Sequence, residues 1–249
     1  MISKTYLNHS FWKRLVLLVA ALVASQGGVC LVPSLFGIAE QAFSKVIINT
    51  VFLLTCVGCI RLFGLSAEDV GLKIIRPRLT LHVGLSLAIF TMYWLYYLFV
   101  VRISGLRPFT SATVWGLLNY LVVAFAGETY FRGLCYHIVE QRYSGRAAVL
   151  ISGLLFGLTH FRQGLEMLPK FFTGWLWGSV RYATGMIFLL IFPIHFTLNA
   201  VWLLFQGNWN SPTTLALLLP LVELLVALLI VTCSEHARRP GLMFSKTIK

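Results

Sequence analysis

Charge is what this sequence lacks. Asp, Glu, Lys and Arg make up 11% of its 249 residues while 58% are hydrophobic, whereas a soluble domain carries about a quarter charged residues. No polar stretch is long enough to form a separate soluble unit, which leaves a single integral membrane domain over residues 1–249. Acids are scarcest: eight Asp and Glu stand against twenty Lys and Arg, for a net charge of +12. That excess does not call for nucleic acid, because basic residues outside the apolar core suit an anionic cytoplasmic leaflet and orient the helices. The five cysteines are odd in number and scattered through apolar segments, so no disulfide framework is implied. Cys56 and Cys59 form a C-x-x-C with no second ligand pair, which reads as helix packing rather than a metal or redox site.

What the sequence has is apolar runs. Lys13-Arg14 precede a run from Leu15 to Leu31; it exceeds the ~7–15-residue core of a secretory signal and further spans follow, so an uncleaved first helix ending near Pro33 is expected. The next spans are Val46–Phe63 and Leu81–Val101, the latter with Trp94, Tyr96 and Tyr97 as interfacial anchors. Between them, Ser66 is expected to cap a short helix over Leu65–Ile75 on the membrane surface, with Glu68 and Asp69 in its first turn. Span four runs from Ser111 to about Gln141, longer than the ~20 residues a bilayer requires. A tight turn at Tyr143–Arg146 leads into span five, Ala147–Phe161. A short sixth span follows Pro169 and ends near Tyr182, span seven covers Ala183–Phe205, and span eight covers Thr213–Thr232 after a loop at Gly207–Pro212. The expected fold is therefore all-α and polytopic, with about eight transmembrane helices. In this layout fourteen Lys and Arg residues fall on the side of the termini and five opposite, which predicts cytoplasmic termini.

An acid within such a span is a functional candidate by default, because an ionised carboxylate is costly in hydrocarbon. Only Glu128 and Glu223 fall within spans, the other six acids lying at span ends or in loops. Arg132 follows Glu128 by four residues and shares its helix face; taken alone, that pair could merely make burial tolerable. Depth adds more. Spans four and five form a hairpin turning near Ser144, with Glu128 sixteen residues before the turn and His160 sixteen after it. At ~1.5 Å per residue both stand roughly 24 Å from the turn, and His195 reaches roughly 20 Å beyond the next one at Tyr182. Asn199 shares a face with His195. A carboxylate and an imidazole within reach of one another can hold a water and take its proton, while a second imidazole and an amide can donate to an oxyanion. Two histidines and an acid could also bind zinc, but there is no H-E-x-x-H, and a site without metal or cofactor is expected. Glycines at 153, 157, 174, 178 and 185 allow close helix approach around the pocket.

Arg132-Gly133, Phe156 with His160, and His195 with Asn199 resemble, in order, the end of Glu-Glu-x-x-x-Arg, then Phe-x-x-x-His and His-x-x-x-Asn. These are the motifs of the CAAX-prenyl-protease and bacteriocin-processing (CPBP, or Abi) intramembrane proteases. The resemblance covers Ser111 to Leu204, including the glycine-rich stretch Phe171–Gly185. It implies an all-helical core and an endopeptidase acting on a membrane-associated, prenylated or leader-bearing peptide or protein, with the bilayer as its other partner. One position departs. Aligned on Arg132, the two family glutamates fall on Gly127 and Glu128, and the first is the one credited in the family with activating water.

The expected mechanism has Glu128 and His160 positioning the water, His195 and Asn199 holding the oxyanion, and Arg132 orienting Glu128. Three explanations of Gly127 stay open: Glu128 acts as base, Glu223 reaches the pocket, or proteolysis has been lost. The last leads to the rival reading, a non-catalytic membrane binding or immunity protein on the same core. A proton-relaying transporter is a third.

Overall fold

The computed structural model describes residues 4–31, 38–161, 167–207 and 214–238. The expected helix end at Pro33 and the loop over 208–212 lie outside the described residues, as do Arg162 and the basic residues after Arg238. Among the described residues the chain is all-α, with a lone antiparallel bridge between Leu106 and Phe205. The helices are α1 (Lys4–Leu31), α2 (Ile38–Leu62), α3 (Arg76–Tyr96), α4 (Ser111–Glu128), α5 (Tyr136–Arg142), α6 (Gly145–Leu158), α7 (Met167–Thr184), α8 (Phe196–Leu204) and α9 (Thr214–Arg238). Four helical stretches, at Ser10–Val29, Phe43–Leu62, Arg76–Val101 and Leu218–Ala237, are long and apolar enough to cross a bilayer. Gly145–Leu158 and Leu190–Leu204 are apolar but shorter. The protein is an all-α polytopic membrane protein.

Local chemistry sets the helix ends. Thr110 caps α4 through a reciprocal box with Thr113, and the Ser144 hydroxyl accepts from the Ala147 amide at the start of α6. Spans four and seven are not uniform α-helices. A π-helical segment, Thr129–Cys135, joins α4 to α5, and another, Leu190–His195, precedes α8. Pro193 has no N–H to give to the ladder, and Phe192 leaves helical geometry at φ −139°, ψ 124°. Span seven is therefore interrupted at Phe192, and it begins beyond Gly185 rather than at Ala183: α7, the sixth span, runs to Thr184 and Gly185 turns the chain at φ +78°. His82 of α3, fully buried, braces this turn, with Nδ1 3.1 Å from the Thr184 hydroxyl and Nε2 3.4 Å from the Leu189 amide.

The bundle is tied by a few buried polar contacts. Tyr130 donates to the Leu18 carbonyl (2.7 Å), linking the π segment to α1, and Asn49 donates to Asn119 (3.0 Å), linking α2 to α4. Arg14 bonds Gln141 (3.4 Å) and Arg146 pairs with Glu235, so the first and last helices present their outer ends beside the α5–α6 turn. The two terminal helices thus share one end of the bundle.

Two expectations are corrected. The Leu65–Ile75 segment is a series of turns, not a surface helix. The Asp69 carboxylate accepts from both the amide and the hydroxyl of Ser66, each at 2.7 Å, and closes a turn that competes with helix. The segment then plugs inward: Val70 is fully buried, and Ile187 donates its amide to the Gly71 carbonyl at 2.9 Å. Tyr97 is likewise no interfacial anchor, being buried with its hydroxyl directed at the Leu198 carbonyl, 3.4 Å away.

The tightest helix crossing is α6 on α7. A Cβ on Gly153 would lie 2.3 Å from Trp175 Cδ1 and 2.9 Å from the Gly174 carbonyl carbon; one on Gly157 would lie 2.2 Å from Phe171 Cδ1. Overpacking of this kind costs about 1–3 kcal/mol or more. Gly153→Val is expected to lower the thermal midpoint in detergent by that measure. Gly58→Val, on an exposed face where a Cβ meets nothing within 4 Å, should unfold close to the wild type.

The Ser66 amide and hydroxyl hold the Asp69 carboxyl below its ordinary value. The sign follows: the turn is stabilised above the ordinary aspartate range, about pH 4, and this is lost as pH falls through the depressed folded value. Hydrogen-exchange protection over residues 66–71 is expected to drop on acidification and to be low at all pH in Asp69→Asn.

Candidate functional site

Glu128 ends α4, Arg132 lies within the π turn that follows, and His195 closes the second π segment. Two of the three π-helical segments among the described residues therefore coincide with the polar residues, as such segments often do at functional sites, while the third, Tyr97–Val101, ends the third span. Gly133 is part of the reason. A Cβ there would sit 3.2 Å from both Val70 Cβ and the Val70 carbonyl oxygen, so the plugging loop can approach the π segment only because position 133 has no side chain.

Glu128 and Arg132 are both fully buried. Arg132 Nη1 donates to Glu128 Oε1 at 3.3 Å, and His195 Nδ1 lies 2.8 Å from the same oxygen. Arg132 Nη2 donates to the Gly174 carbonyl at 3.2 Å. The guanidinium carbon stands 4.4 Å from the Phe156 ring centroid and 5.2 Å from that of Trp177, an aromatic slot that favours a cation stripped of water. The His195 ring packs 4.9 Å from Trp177 and 6.1 Å, edge-on, from Phe156.

This distribution leaves one carboxylate oxygen over. Oε1 receives both donors, whereas Oε2 is buried with no hydrogen-bond partner among the described residues. The indole N–H of Trp177 is buried and unpartnered in the same sense. An acceptor and a donor so placed can engage a third molecule, and leaving them unsatisfied costs roughly 1–3 kcal/mol each.

His160 does not touch Glu128 directly. It caps the end of α6, half-buried, with Nδ1 3.0 Å from the Phe156 carbonyl and 3.3 Å from the Thr159 hydroxyl. Its ring lies 5.0 Å from that of Phe156, so Phe156 separates the two histidines and shields Arg132. A carbonyl cannot donate, so a bond from His160 to Phe156 places the proton on Nδ1 and leaves Nε2 as a base. Asn199 stands one turn beyond His195 on α8, half-buried. Among the described residues no three His, Cys, Asp or Glu side chains converge as a ligand set; Glu128 and His195 meet as a pair.

Nothing in the sequence fixes the face of Glu223, and the structure turns it inward. The residue is buried on α9, accepting from the Tyr93 hydroxyl of α3 and, at 2.8 Å, from the Thr173 hydroxyl of α7. Thr173 directly precedes Gly174, the residue that receives Arg132. Glu223 is thus held one residue away, along α7, from the Glu128–Arg132 contact. Trp177, Tyr93, Thr173 and the Gly174 carbonyl are the participants that sequence reasoning does not single out. Among these only Gly174 carries a signal, as one of the glycines noted for close packing.

Removing Arg132 strands a buried carboxylate, which typically costs about 3–5 kcal/mol. Arg132→Ala is expected to destabilise the detergent-solubilised protein by that amount. Glu128→Gln combined with it should cost less than the two single changes added together, because the pair shares one contact.

Residues 108–201 match the Rce1-like family, described as type II CAAX prenyl endopeptidase Rce1-like. The matched stretch contains Glu128, Arg132, His160, His195 and Asn199. No curated protein matches the chain.

Proposed function

From an Rce1-like domain at the centre of a helical membrane protein, we propose a metal-independent intramembrane endopeptidase. Its substrate is a membrane-associated peptide or protein bearing a prenylated cysteine near its C-terminus. The observation that carries this reading is the Glu128 carboxylate, sealed in the bundle, anchored through Oε1 by Arg132 and His195 and offering Oε2 to a further donor. A water donating to that oxygen and to Nε2 of His160 would be positioned and deprotonated for attack on a carbonyl carbon. His195, its ring held by the contact of Nδ1 with Glu128, would direct Nε2–H to the oxyanion as it forms, with Asn199 as a second donor. The unpartnered indole N–H of Trp177, whose ring packs 4.9 Å from that of His195, would be a third donor. As the tetrahedral intermediate collapses, the proton taken by the base passes to the leaving amine. The fourteen-to-five distribution of basic residues supports a cytoplasmic position for the shared end of the terminal helices.

One observation favours a second reading, a binding protein that has lost hydrolysis. A Cβ at Gly127 would stand 3.5 Å from His195 Cε1, in ordinary contact, so the position that resembles the family's first glutamate adjoins the site and carries no carboxylate.

A prenylated-cysteine peptide offered to the purified protein in detergent separates the two. Glu128→Gln and His160→Ala are each expected to lower kcat/KM by about 10²–10⁴, and Asn199→Ala by about 10²–10³, with chelators leaving the wild type unchanged. Undiminished cleavage in both of the first two variants excludes the mechanism. A silent wild type that gains cleavage on Gly127→Glu establishes the second reading.

A further inference from the structure

Away from this site, where α3 begins and α5 and α7 end, a cavity of ≈ 370 Å³ is lined by Arg78, Tyr136, Glu140, Arg181, Tyr182 and Gly185. Two guanidinium groups meet there: Nη1 of Arg78 and Nη1 of Arg181 each lie 3.7 Å from the point where a Cβ on Gly185 would sit. Arg181 is 6% exposed and fixed in place, donating to the Asp69 carbonyl at 2.7 Å and to the Gly185 carbonyl. Its Nε, also buried, has no partner among the described residues. Both acceptors are neutral carbonyls and the Tyr136 ring lies 5.4 Å from its guanidinium carbon, so among the described residues no carboxylate forms an ion pair with it. Arg78 is exposed and forms no ion pair among the described residues. Two like charges this close repel one another unless an anion bridges them.

Glu140 adds the opposite pole. It is exposed at the rim, accepts from the Tyr136 hydroxyl at 3.3 Å, and pairs with neither arginine. The cavity therefore presents one anchored guanidinium, Arg181, a second and exposed one, Arg78, and one separate negative group. It lies at helix ends, and in a bundle that spans a bilayer helix ends are where headgroups are expected. Arg14, Arg142 and Arg146 surround the same end of the bundle, where Arg14 reaches Gln141 and Arg146 reaches Glu235.

We propose that this cavity binds a phospholipid headgroup of the phosphoethanolamine type, the phosphate held between Arg78 and Arg181 and the ammonium by Glu140. Guanidinium matches phosphate through directed, charge-assisted hydrogen bonds, and an ammonium has the three donors needed to engage a carboxylate. A purely anionic headgroup would leave Glu140 facing negative charge, and a quaternary ammonium could not donate to it. The assignment is independent of whether the Glu128 site hydrolyses peptides.

The test measures binding to the full-length protein in detergent, by native mass spectrometry and by shift of the thermal midpoint. Short-chain phosphatidylethanolamine, phosphatidylglycerol and phosphatidylcholine are compared with free glycerophosphoethanolamine. Phosphatidylethanolamine is expected to bind most tightly and the free headgroup weakly. Arg78→Gln should weaken all the phospholipids, phosphatidylethanolamine by about tenfold or more, and Glu140→Gln should erase the preference over phosphatidylglycerol. Both residues are exposed, so neither change endangers folding. Unchanged binding in Arg78→Gln, a preference that survives Glu140→Gln, or a free headgroup that binds as well as the lipid would each overturn the proposal.

Discussion

A fully buried carboxylate imposes the strictest demand on this bundle. Glu128 is fully buried among the helices, away from bulk water, and the surrounding protein must supply most of the donors that water would have given. Arg132 and His195 supply them, but each creates a new demand. The guanidinium needs an acceptor and a polarisable enclosure, met by the Gly174 carbonyl and by Phe156 and Trp177. The imidazole needs a fixed ring, met by the same two aromatics. One charge thereby recruits α4, α6, α7 and the segment before α8 to a common point.

That recruitment coincides with two of the departures from regular geometry. Arg132 and His195 both sit in π-helical segments, and the second is interrupted at Phe192 and Pro193. The glycine contact of α6 with α7 serves the same end, since a Cβ at Gly174 would stand 2.7 Å from Gly153 Cα. Separating the two helices to accommodate it would withdraw the carbonyl that Arg132 uses. Small residues at this crossing therefore act on the site through backbone position, although none of their atoms beyond one carbonyl takes part in it.

Sequence pattern reveals those parts of this arrangement that depend on spacing. Glu128 and Arg132 at i,i+4 read directly as a face-sharing pair, and His195 with Asn199 as another. Helix lengths and hairpin turns place the histidines near the depth of the acid, and the Ser144 cap begins α6 where the turn is expected. What depends on contact between distant segments does not show. The Leu65–Ile75 stretch has the composition of a capped amphipathic turn of helix, and local pattern favours that reading. The Ser66–Asp69 turn wins because Val70 gains full burial against Gly133, sixty-three residues away. Tyr97 looks like an interfacial anchor because aromatic residues near a span end usually are, and only the packing of α8 turns it inward. Glu223 carries no neighbouring cue, since its partners Tyr93 and Thr173 come from two other helices.

The position of Glu223 bears on how firmly the first acid is held. Its two donors join α3 and α7 to α9, and the α7 donor is Thr173, adjacent to the Gly174 carbonyl. Rotating α7 about its axis, or sliding it, would break the Thr173 bond and the Arg132 bond together. The two buried acids thus both bear on α7, Glu223 directly through Thr173 and Glu128 through Arg132 at the Gly174 carbonyl. In an apolar bundle, where dispersion contacts slide easily past one another, two such directional anchors within one residue of each other fix the register of α7 far more sharply than its leucines and phenylalanines could.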